Sequence, residues 1–318
     1  MHAVILDQET LGDDLDFSPL HSLCEWKTYP STDPSEVAER IANAAIVVSN
    51  KVVLNGAILS QAPALKLIAV AATGTNNIDL LAAAEAGIPV CNVRGYAGAS
   101  VAQHVFSMMF ALSNRLLEYS SATRAGRWNT APHFCMLDYP IVELEGKTLG
   151  IVGHGNLGQA VAKRAACFGL QVLLAERPGN RSLRPDRIWL DDLLPQVDVL
   201  SLHCPLTPET ANLIGLRELS MMKPSALLIN AARGGIVNES ALVEALRNDM
   251  IGGAAVDVLT TEPPREGNPL LDTNLSNLIV TPHIAWASRE ARQRVVDGVA
   301  ANIKAFQAGN PVNLVTPE

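Results

Sequence analysis

Apolar residues fall into short aliphatic runs separated by segments with helical spacing, and the alternation repeats along most of the chain. Ala3-Val4-Ile5-Leu6, Ala45-Ile46-Val47-Val48, Leu65-Lys66-Leu67-Ile68-Ala69-Val70 and Ile88-Pro89-Val90-Cys91-Asn92-Val93 read as strands. Between them, residues 36–44 place Val37, Ile41 and Ala44 on one helical side, and residues 78–85 read as a helix stopped at Gly87, a C-cap residue. Strands alternating with helices at this spacing predict a mostly parallel sheet. Residues 100–119 predict a longer helix, with Val101, Val105, Met108, Met109, Leu112, Leu116 and Leu117 at helical intervals. Residues 121–139 lack periodicity and carry Gly126, Trp128, Pro132, His133 and Phe134, so they read as an irregular linker or arm. A second αβ series runs from Gly146 to about Pro282, and residues 288–307 predict a final helix.

Composition agrees with this pattern. Parallel strands covered on both faces are near-continuous aliphatic runs, which accounts for 48% hydrophobic residues with only 4% aromatic ones. At 318 residues, the chain suits two α/β domains and can bury a core without a disulfide or metal staple. A charged fraction of 18% is too low for a disordered chain of this length. The net charge of −8, from 24 Lys and Arg against 32 Asp and Glu, argues against an extended nucleic-acid surface. Cys24, Cys91, Cys135, Cys167 and Cys204 are odd in number and include no C-x-x-C pair, which excludes neither free thiols nor a reducing compartment but disfavours a disulfide framework and a zinc site. No basic-then-apolar leader opens the sequence, and no run reaches the roughly 18 apolar residues of a membrane span. A cytoplasmic protein without membrane or metal partners is expected.

The first motif with chemical content is Gly153-His154-Gly155-Asn156-Leu157-Gly158. It follows the strand-like Thr148-Leu149-Gly150-Ile151-Val152 and opens a helix with Leu157, Val161, Ala165 and Phe168 on one face, ended by Gly169. The next strand, Gln171-Val172-Leu173-Leu174-Ala175, finishes in Glu176, 18 positions after Gly158 (176 − 158). A bare G-x-G-x-x-G is common, but this strand–turn–helix–strand context with a terminal carboxylate is specific for a dinucleotide. Gly153 permits the tight turn, Gly155 the approach of the pyrophosphate and Gly158 close helix packing. The helix N-terminus offers N–H groups and partial positive charge. Glu176 would accept from the adenosine ribose hydroxyls and favours NAD, whereas Arg177, Arg181 and Arg184 could bind the 2′-phosphate of NADP if their loop folds back, or simply form a solvated loop.

Three polar residues follow strand-like runs, where an α/β sheet gathers its ligands. They are Arg233 in Asn230-Ala231-Ala232-Arg233-Gly234-Gly235, Glu262 in Asp257-Val258-Leu259-Thr260-Thr261-Glu262-Pro263, and His283 in Thr281-Pro282-His283-Ile284-Ala285-Trp286. Each alone is an ordinary loop residue; with a dinucleotide site they make the set that hydride transfer to a 2-oxo acid needs. Arginine matches a carboxylate with a bidentate fork, histidine titrates in the range to protonate the ketone oxygen, and a neighbouring carboxylate fixes its tautomer and favours its protonated form.

These residues resemble the D-isomer-specific 2-hydroxyacid dehydrogenases, nearest to their glycerate dehydrogenase/hydroxypyruvate reductase branch, over essentially the whole chain. The resemblance rests on Ala71-Ala72-Thr73-Gly74-Thr75-Asn76-Asn77-Ile78-Asp79, the glycine motif, Asn230 to Gly235, Asp257-Val258 with Glu262-Pro263, and Pro282-His283-Ile284-Ala285-Trp286. It implies that Arg233 binds substrate and polarises its carbonyl, that His283 is the acid/base beside the cofactor, and that Glu262 pairs with it. It further implies that amides around Ala72, Thr73 and Gly74 hold the substrate carboxylate. Asn156 and Leu157 would meet the pyrophosphate, Cys204 and Pro205 the adenosine, and Ala231 and Asp257 the nicotinamide amide. The implied fold is a flavodoxin-like substrate-binding domain of residues 1–98 and 286–318, plus a Rossmann NAD(P)-binding domain of residues 99–285, both doubly wound, with a cleft between them. A homodimer joined through the cofactor domain would use the 121–139 arm. Two positions depart from the family pattern: Val101 stands where threonine is frequent, and Glu176 where aspartate is.

For substrate, Trp286 resembles the hydroxypyruvate reductase branch, where an indole narrows the pocket and offers a polar N–H; it could equally be a packing residue. Asn50-Lys51 could line the cleft or form a turn. A chain ending at Glu318 disfavours the longer phosphoglycerate dehydrogenases. The expected reaction is NAD(P)H-dependent reduction of hydroxypyruvate or glyoxylate to D-glycerate or glycolate. The alternatives are an NADH-sensing corepressor-like protein and a dehydrogenase for another small substrate such as phosphite; formate is disfavoured because a carboxylate, not an amide, would partner the histidine.

Overall fold

The computed structural model describes residues 1–317, and the chain divides into two compact units: Met1–Tyr96 with the segment from Ala287 onward, and Ala97–Trp286. The first unit contains β1 (His2–Ile5), β2 (Glu25–Thr28), β3 (Ile46–Ser49), β4 (Leu67–Val70) and β5 (Val90–Cys91), all parallel, in the order β2-β1-β3-β4-β5. This is the flavodoxin-like order. Val4, Ile46, Val47, Leu67 and Ile68 are fully buried, as strands covered on both faces require. β2 is a polar edge strand with Glu25, Lys27 and Thr28 exposed, so no apolar run announces it. The run at 88–93 shortens to two strand residues because Asn92 and Val93 leave the ladder, Asn92 N donating to Asn313 O and Val93 N to Ala72 O.

At the point where the strand order reverses, between β1 and β3, the Asp7 carboxylate accepts from the amides of Asn50 (2.9 Å), Lys51 (2.6 Å) and Val52 (3.2 Å). The chain thus fills its own ligand position at this switch point, and Asn50-Lys51 belong to a capped turn. The helix Arg289–Gln307 begins at Ser288, whose hydroxyl accepts from Ala291 N, and buries Val295, Val296, Val299 and Ile303 within the first unit.

The second unit contains β6 (Thr148–Val152), β7 (Gln171–Leu174), β8 (Val199–Leu202), β9 (Leu227–Asn230), β10 (Gly253–Val256) and β11 (Leu278–Val280), all parallel, in the order β11-β10-β9-β8-β6-β7. An isolated bridge from Ala175 to Ile188 extends the β7 edge, giving the Rossmann sequence of strands with its reversal between β6 and β8.

The helix expected over 100–119 is two helices, Gly98–Ser113 and Leu116–Arg124, interrupted by Arg115 at φ 52°. Val142 N donates to Ser113 O at the break. Leu112 and Leu116 are one helical interval apart, so periodicity hides the break, yet Leu116 and Leu117 are exposed. The second helix also takes in residues 121–124, which the sequence assigns to the arm. Phe168 is likewise not a core residue: it is 42% exposed and packs against Phe106 and Phe110, with ring centroids 5.1 and 4.8 Å away. No helix among the described residues is long and apolar enough to cross a membrane.

Candidate active site

The glycine motif sits at the switch point of the second unit. Gly153 follows β6 at φ 91°, and a Cβ there would lie 2.5 Å from Cys204 N, so only glycine lets the turn rest on the β8 loop. A Cβ at Gly158 would meet Gly153 O at 2.1 Å, whereas one at Gly155 would meet nothing within 4 Å. Protein packing therefore accounts for two of the three glycines and leaves Gly155 facing open space, as an approaching pyrophosphate requires. Gly155 is the N-cap of the helix Asn156–Ala165 and supplies no side-chain cap. The first-turn amides of Asn156 and Leu157 lack intrahelical acceptors, as at any helix N-terminus, and suit an anion.

Beside the motif lies a cavity of about 630 Å³ whose lining includes Gly153, His154, Arg177, Arg184, Cys204 and Pro205. Its size suits a cofactor moiety. Burial pushes the Cys204 thiol up to about 11, so it stays protonated. Glu176, expected to present a free carboxylate here, instead turns into its own loop and is only 3% exposed. It accepts from Arg184 Nη2 (2.6 Å), Arg184 N (2.9 Å), Arg177 N (2.7 Å) and Asn180 Nδ2 (2.7 Å). The Arg184 guanidinium, ahead of the other donors, draws the Glu176 carboxyl down to about 2. Physically, a carboxylate at a strand end surrounded by short-range donors is saturated by them. The arginine loop does fold back, and Arg187, absent from the sequence reading, lines the same cavity with a side chain 10% exposed. Burial and Arg187 together hold His154 below its ordinary value.

Under this cradle, His203 is almost fully enclosed, with Nε2 2.8 Å from Ser201 Oγ, and burial pushes its pKa down to about 4. The unfolded histidine takes up a proton near 6.5. Between pH 6.5 and about 4 the unfolded chain binds more protons, so stability falls as pH drops through that window and is independent of His203 outside it. Denaturant unfolding at pH 7 and pH 4.5 is expected to show this histidine costing about 2–3 kcal/mol at the lower pH, and His203→Gln is expected to lose that share of the pH dependence.

The three polar candidates come together through strand register. β9, β10 and β11 are neighbours with Asn230, Val256 and Val280 side by side, so Arg233, Glu262 and His283 all lie past the same edge of the sheet. Gly234 joins two of their loops, since a Cβ there would lie 1.9 Å from Leu259 O. Asn230 holds the arginine turn, its Oδ1 accepting from Ala232 N (3.1 Å) and its Nδ2 donating to Arg233 O (3.0 Å). Ala231 is buried between them. The Arg233 guanidinium is half-buried, donates to Ala232 O (2.7 Å) and pairs with no carboxylate among the described residues.

His283 Nδ1 lies 2.6 Å from Glu262 Oε2, and Glu262 Oε1 accepts from Leu259 N (2.8 Å). A carboxylate can only accept, so the ring proton sits on Nδ1 and Nε2 is the nitrogen left for proton exchange. Both side chains are about one-third exposed. The Asp257 carboxylate is 1% exposed and accepts from Thr281 Oγ1 (2.5 Å), Ile284 N (2.9 Å) and Ala285 N (2.8 Å), binding the histidine loop. Trp286 is half-buried three residues beyond His283. Thr281 and His104, which complete this network, escaped the sequence reading; a lone histidine amid the apolar stripe of the Gly98–Ser113 helix was the available signal.

In the first unit, the loop after β4 is stapled by Thr73 Oγ1 to Val93 O (2.8 Å) and by Asn92 Nδ2 to Thr73 O (2.6 Å). The amides of Ala72, Thr73 and Gly74 donate to no protein acceptor among the described residues.

A dinucleotide cradle and a histidine–carboxylate pair beside an unpaired arginine, all on a Rossmann unit, define a nicotinamide-dependent oxidoreductase. The family model described as "D-isomer specific 2-hydroxyacid dehydrogenase, NAD binding domain" matches residues 106–285. The chain is 48% identical over 314 residues to a glycerate dehydrogenase of Methylorubrum extorquens, covering 98% of each. It is 38% identical over 322 residues to a hydroxypyruvate reductase of Blautia hydrogenotrophica, covering 99% of each. Among solved structures, D-lactate dehydrogenase of Aquifex aeolicus complexed with NAD and lactic acid superposes with a TM-score of 0.83 at 29% identity over the whole of both chains. The chain belongs to the D-isomer-specific 2-hydroxyacid dehydrogenase family.

Proposed function

We propose that the protein reversibly reduces hydroxypyruvate or glyoxylate to D-glycerate or glycolate, using NADH and accepting NADPH. The observation that carries this reading is the His283–Glu262 pair at 2.6 Å, an acid/base with its tautomer set. When bound, the reduced nicotinamide supplies the hydride to C2 of the 2-oxo acid. Arg233 binds the substrate and polarises its carbonyl through a bidentate fork. His283 gives the Nε2 proton to the carbonyl oxygen as it becomes the hydroxyl, and the Glu262 carboxylate stabilises the imidazolium beforehand. In the oxidative direction His283 takes that proton back. The unspent amides of Ala72, Thr73 and Gly74 suit a carboxylate, and we assign the first unit to substrate binding. Gly155, Asn156 and Leu157 hold the pyrophosphate on the turn that Gly153 and Gly158 allow to close, with Cys204 and Pro205 by the adenosine. Trp286 favours a small hydroxylated substrate, in keeping with the names of the two relatives.

A steady-state panel of hydroxypyruvate, glyoxylate, pyruvate and longer 2-oxo acids, run with NADH and with NADPH, tests the reading. Turnover is expected to be fastest with hydroxypyruvate or glyoxylate, and no turnover of any of them would end the proposal. NADPH belongs in the panel because Arg177, Arg184 and Arg187 line the adenosine-side cavity while Arg184 neutralises Glu176.

We further propose a cytoplasmic homodimer joined through the second unit. The five cysteines are all free. Phe134 (90%), Leu137 (84%) and Trp128 (51%) expose large apolar surfaces along one segment, more than scattered surface residues would. A second copy of this arm is the occupant that symmetry favours. Phe134→Asp combined with Leu137→Asp is expected to shift the mass measured by light scattering from two chains to one; an unchanged mass would refute this interface.

A further inference from the structure

One polar network stands behind the proposed acid/base without touching it. His283 adopts φ 55°, in the left-handed region where a bulky side chain is strained by roughly 1–2 kcal/mol. Its amide donates to Asp257 O (2.7 Å) and Thr281 O (3.0 Å), so the turn is wrapped tightly around Asp257. The Asp257 carboxylate accepts from Thr281 Oγ1 on one side of the turn and from Ile284 N and Ala285 N on the other. His104 Nε2, on the Gly98–Ser113 helix, lies 3.0 Å from Thr281 Oγ1 and 3.5 Å from Asp257 Oδ1.

The polarity of this chain is fixed by donor inventory. A hydroxyl has one proton, and the Thr281 proton goes to the carboxylate at 2.5 Å, which can only accept. The hydroxyl oxygen must then accept, and its partner is His104, which holds its proton on Nε2. The network runs in one direction, from His104 through Thr281 to Asp257, and both ends of the His283 turn close on that carboxylate. The helix contributes His104 to it and also Ser100, whose hydroxyl donates to Ala285 O (2.7 Å), and so ties the turn to a rigid element.

We propose that His104 is a positioning residue for the reaction: by donating to Thr281 it fixes the Asp257-centred turn and thereby the strained backbone that aims His283. The inference rests on His283 being the acid/base. A displacement of about 1 Å from a change remote from the chemistry can lower turnover about 100-fold, so a loosened turn is expected to reduce kcat by roughly tenfold without weakening cofactor binding.

The test compares His104→Leu, which removes the donor, with His104→Gln, whose amide N–H replaces it, and with Thr281→Val. Four readouts are taken on the full chain: kcat for hydroxypyruvate, its KM, the NADH Kd by fluorescence, and amide hydrogen exchange of residues 281–287 by mass spectrometry. His104→Leu is expected to lower kcat about tenfold with KM and Kd nearly unchanged, and to speed exchange of that segment severalfold. His104→Gln is expected to restore both, and His104→Leu with Thr281→Val to be no worse than the poorer single variant, because the two act through one network. Wild-type kcat and exchange in His104→Leu, a Gln variant as impaired as Leu, or additive losses would each overturn the proposal. If His104→Leu does not fold, Thr281→Val alone carries the same expectations. Should the wild type turn over no 2-oxo acid, the functional reading fails by that result, while the exchange data still decide whether His104 braces the turn.

Discussion

His283→Ala is expected to lower kcat for hydroxypyruvate reduction by roughly 10²–10⁴, the usual contribution of a general acid, while NADH binds nearly as well as to the wild type. The asymmetry follows from where the parts lie. The cradle of Gly153, Gly155 and Gly158 is built from β6, the Asn156–Ala165 helix and the β8 loop, none of which uses the histidine. His283 hangs from β11, two strands beyond β9, with the Nε2 that Glu262 leaves unengaged as its chemical contribution. Glu262→Gln is expected to fall between: an amide oxygen still accepts from Nδ1, so the tautomer survives, but the negative charge that favours the imidazolium is lost. Steady-state kinetics and fluorescence titration with NADH check the series. A His283→Ala variant whose NADH affinity falls in proportion to its rate would show that the residue serves binding, and the acid/base assignment would have to be withdrawn.

Where sequence pattern and structure agree, the reason is that a physical constraint was local. Parallel strands buried on both faces must be aliphatic runs, so β1, β3, β4 and β6 were legible. The glycine motif was legible because its geometry is set within a few residues. Arg233, Glu262 and His283 were legible as a set because each follows a strand, although only register could say that the three strands are neighbours. What pattern could not supply were the choices made by distant partners. Glu176 was read as an acceptor for ribose, but Arg184, eight residues on, returns to occupy it. Nor does local pattern show that the amides of Ile284 and Ala285 reach the Asp257 carboxylate from the next loop. The helix break at Arg115 left no trace because the leucine spacing continues across it while Val142, just beyond the arm, donates to Ser113 O at the last turn. β2 was silent because an edge strand needs no apolar face.

Arg233→Lys tests the same principle at a residue whose charge meets no carboxylate among the described residues. The guanidinium is half-buried, its turn is pinned at both ends by Asn230, and no carboxylate among the described residues neutralises it. A partly buried cation without an internal counter-charge gains from a ligand that supplies one, and a 2-oxo acid offers both a carboxylate and a carbonyl to a planar fork. Lysine keeps the charge but presents a single point with no bidentate geometry. Its kcat/KM is therefore expected to fall by roughly 10²–10³, in line with losing a charge-assisted pair and one donor to the developing alkoxide. The loss should appear in both KM and kcat, because the fork holds the ground-state carboxylate and also polarises the carbonyl. Arg233→Ala is expected to be worse in both, and NADH affinity to be unchanged in each variant. If Arg233→Lys raised KM alone and left kcat at the wild-type value, the arginine would be a binding residue only, and polarisation of the carbonyl would have to come from His283 alone.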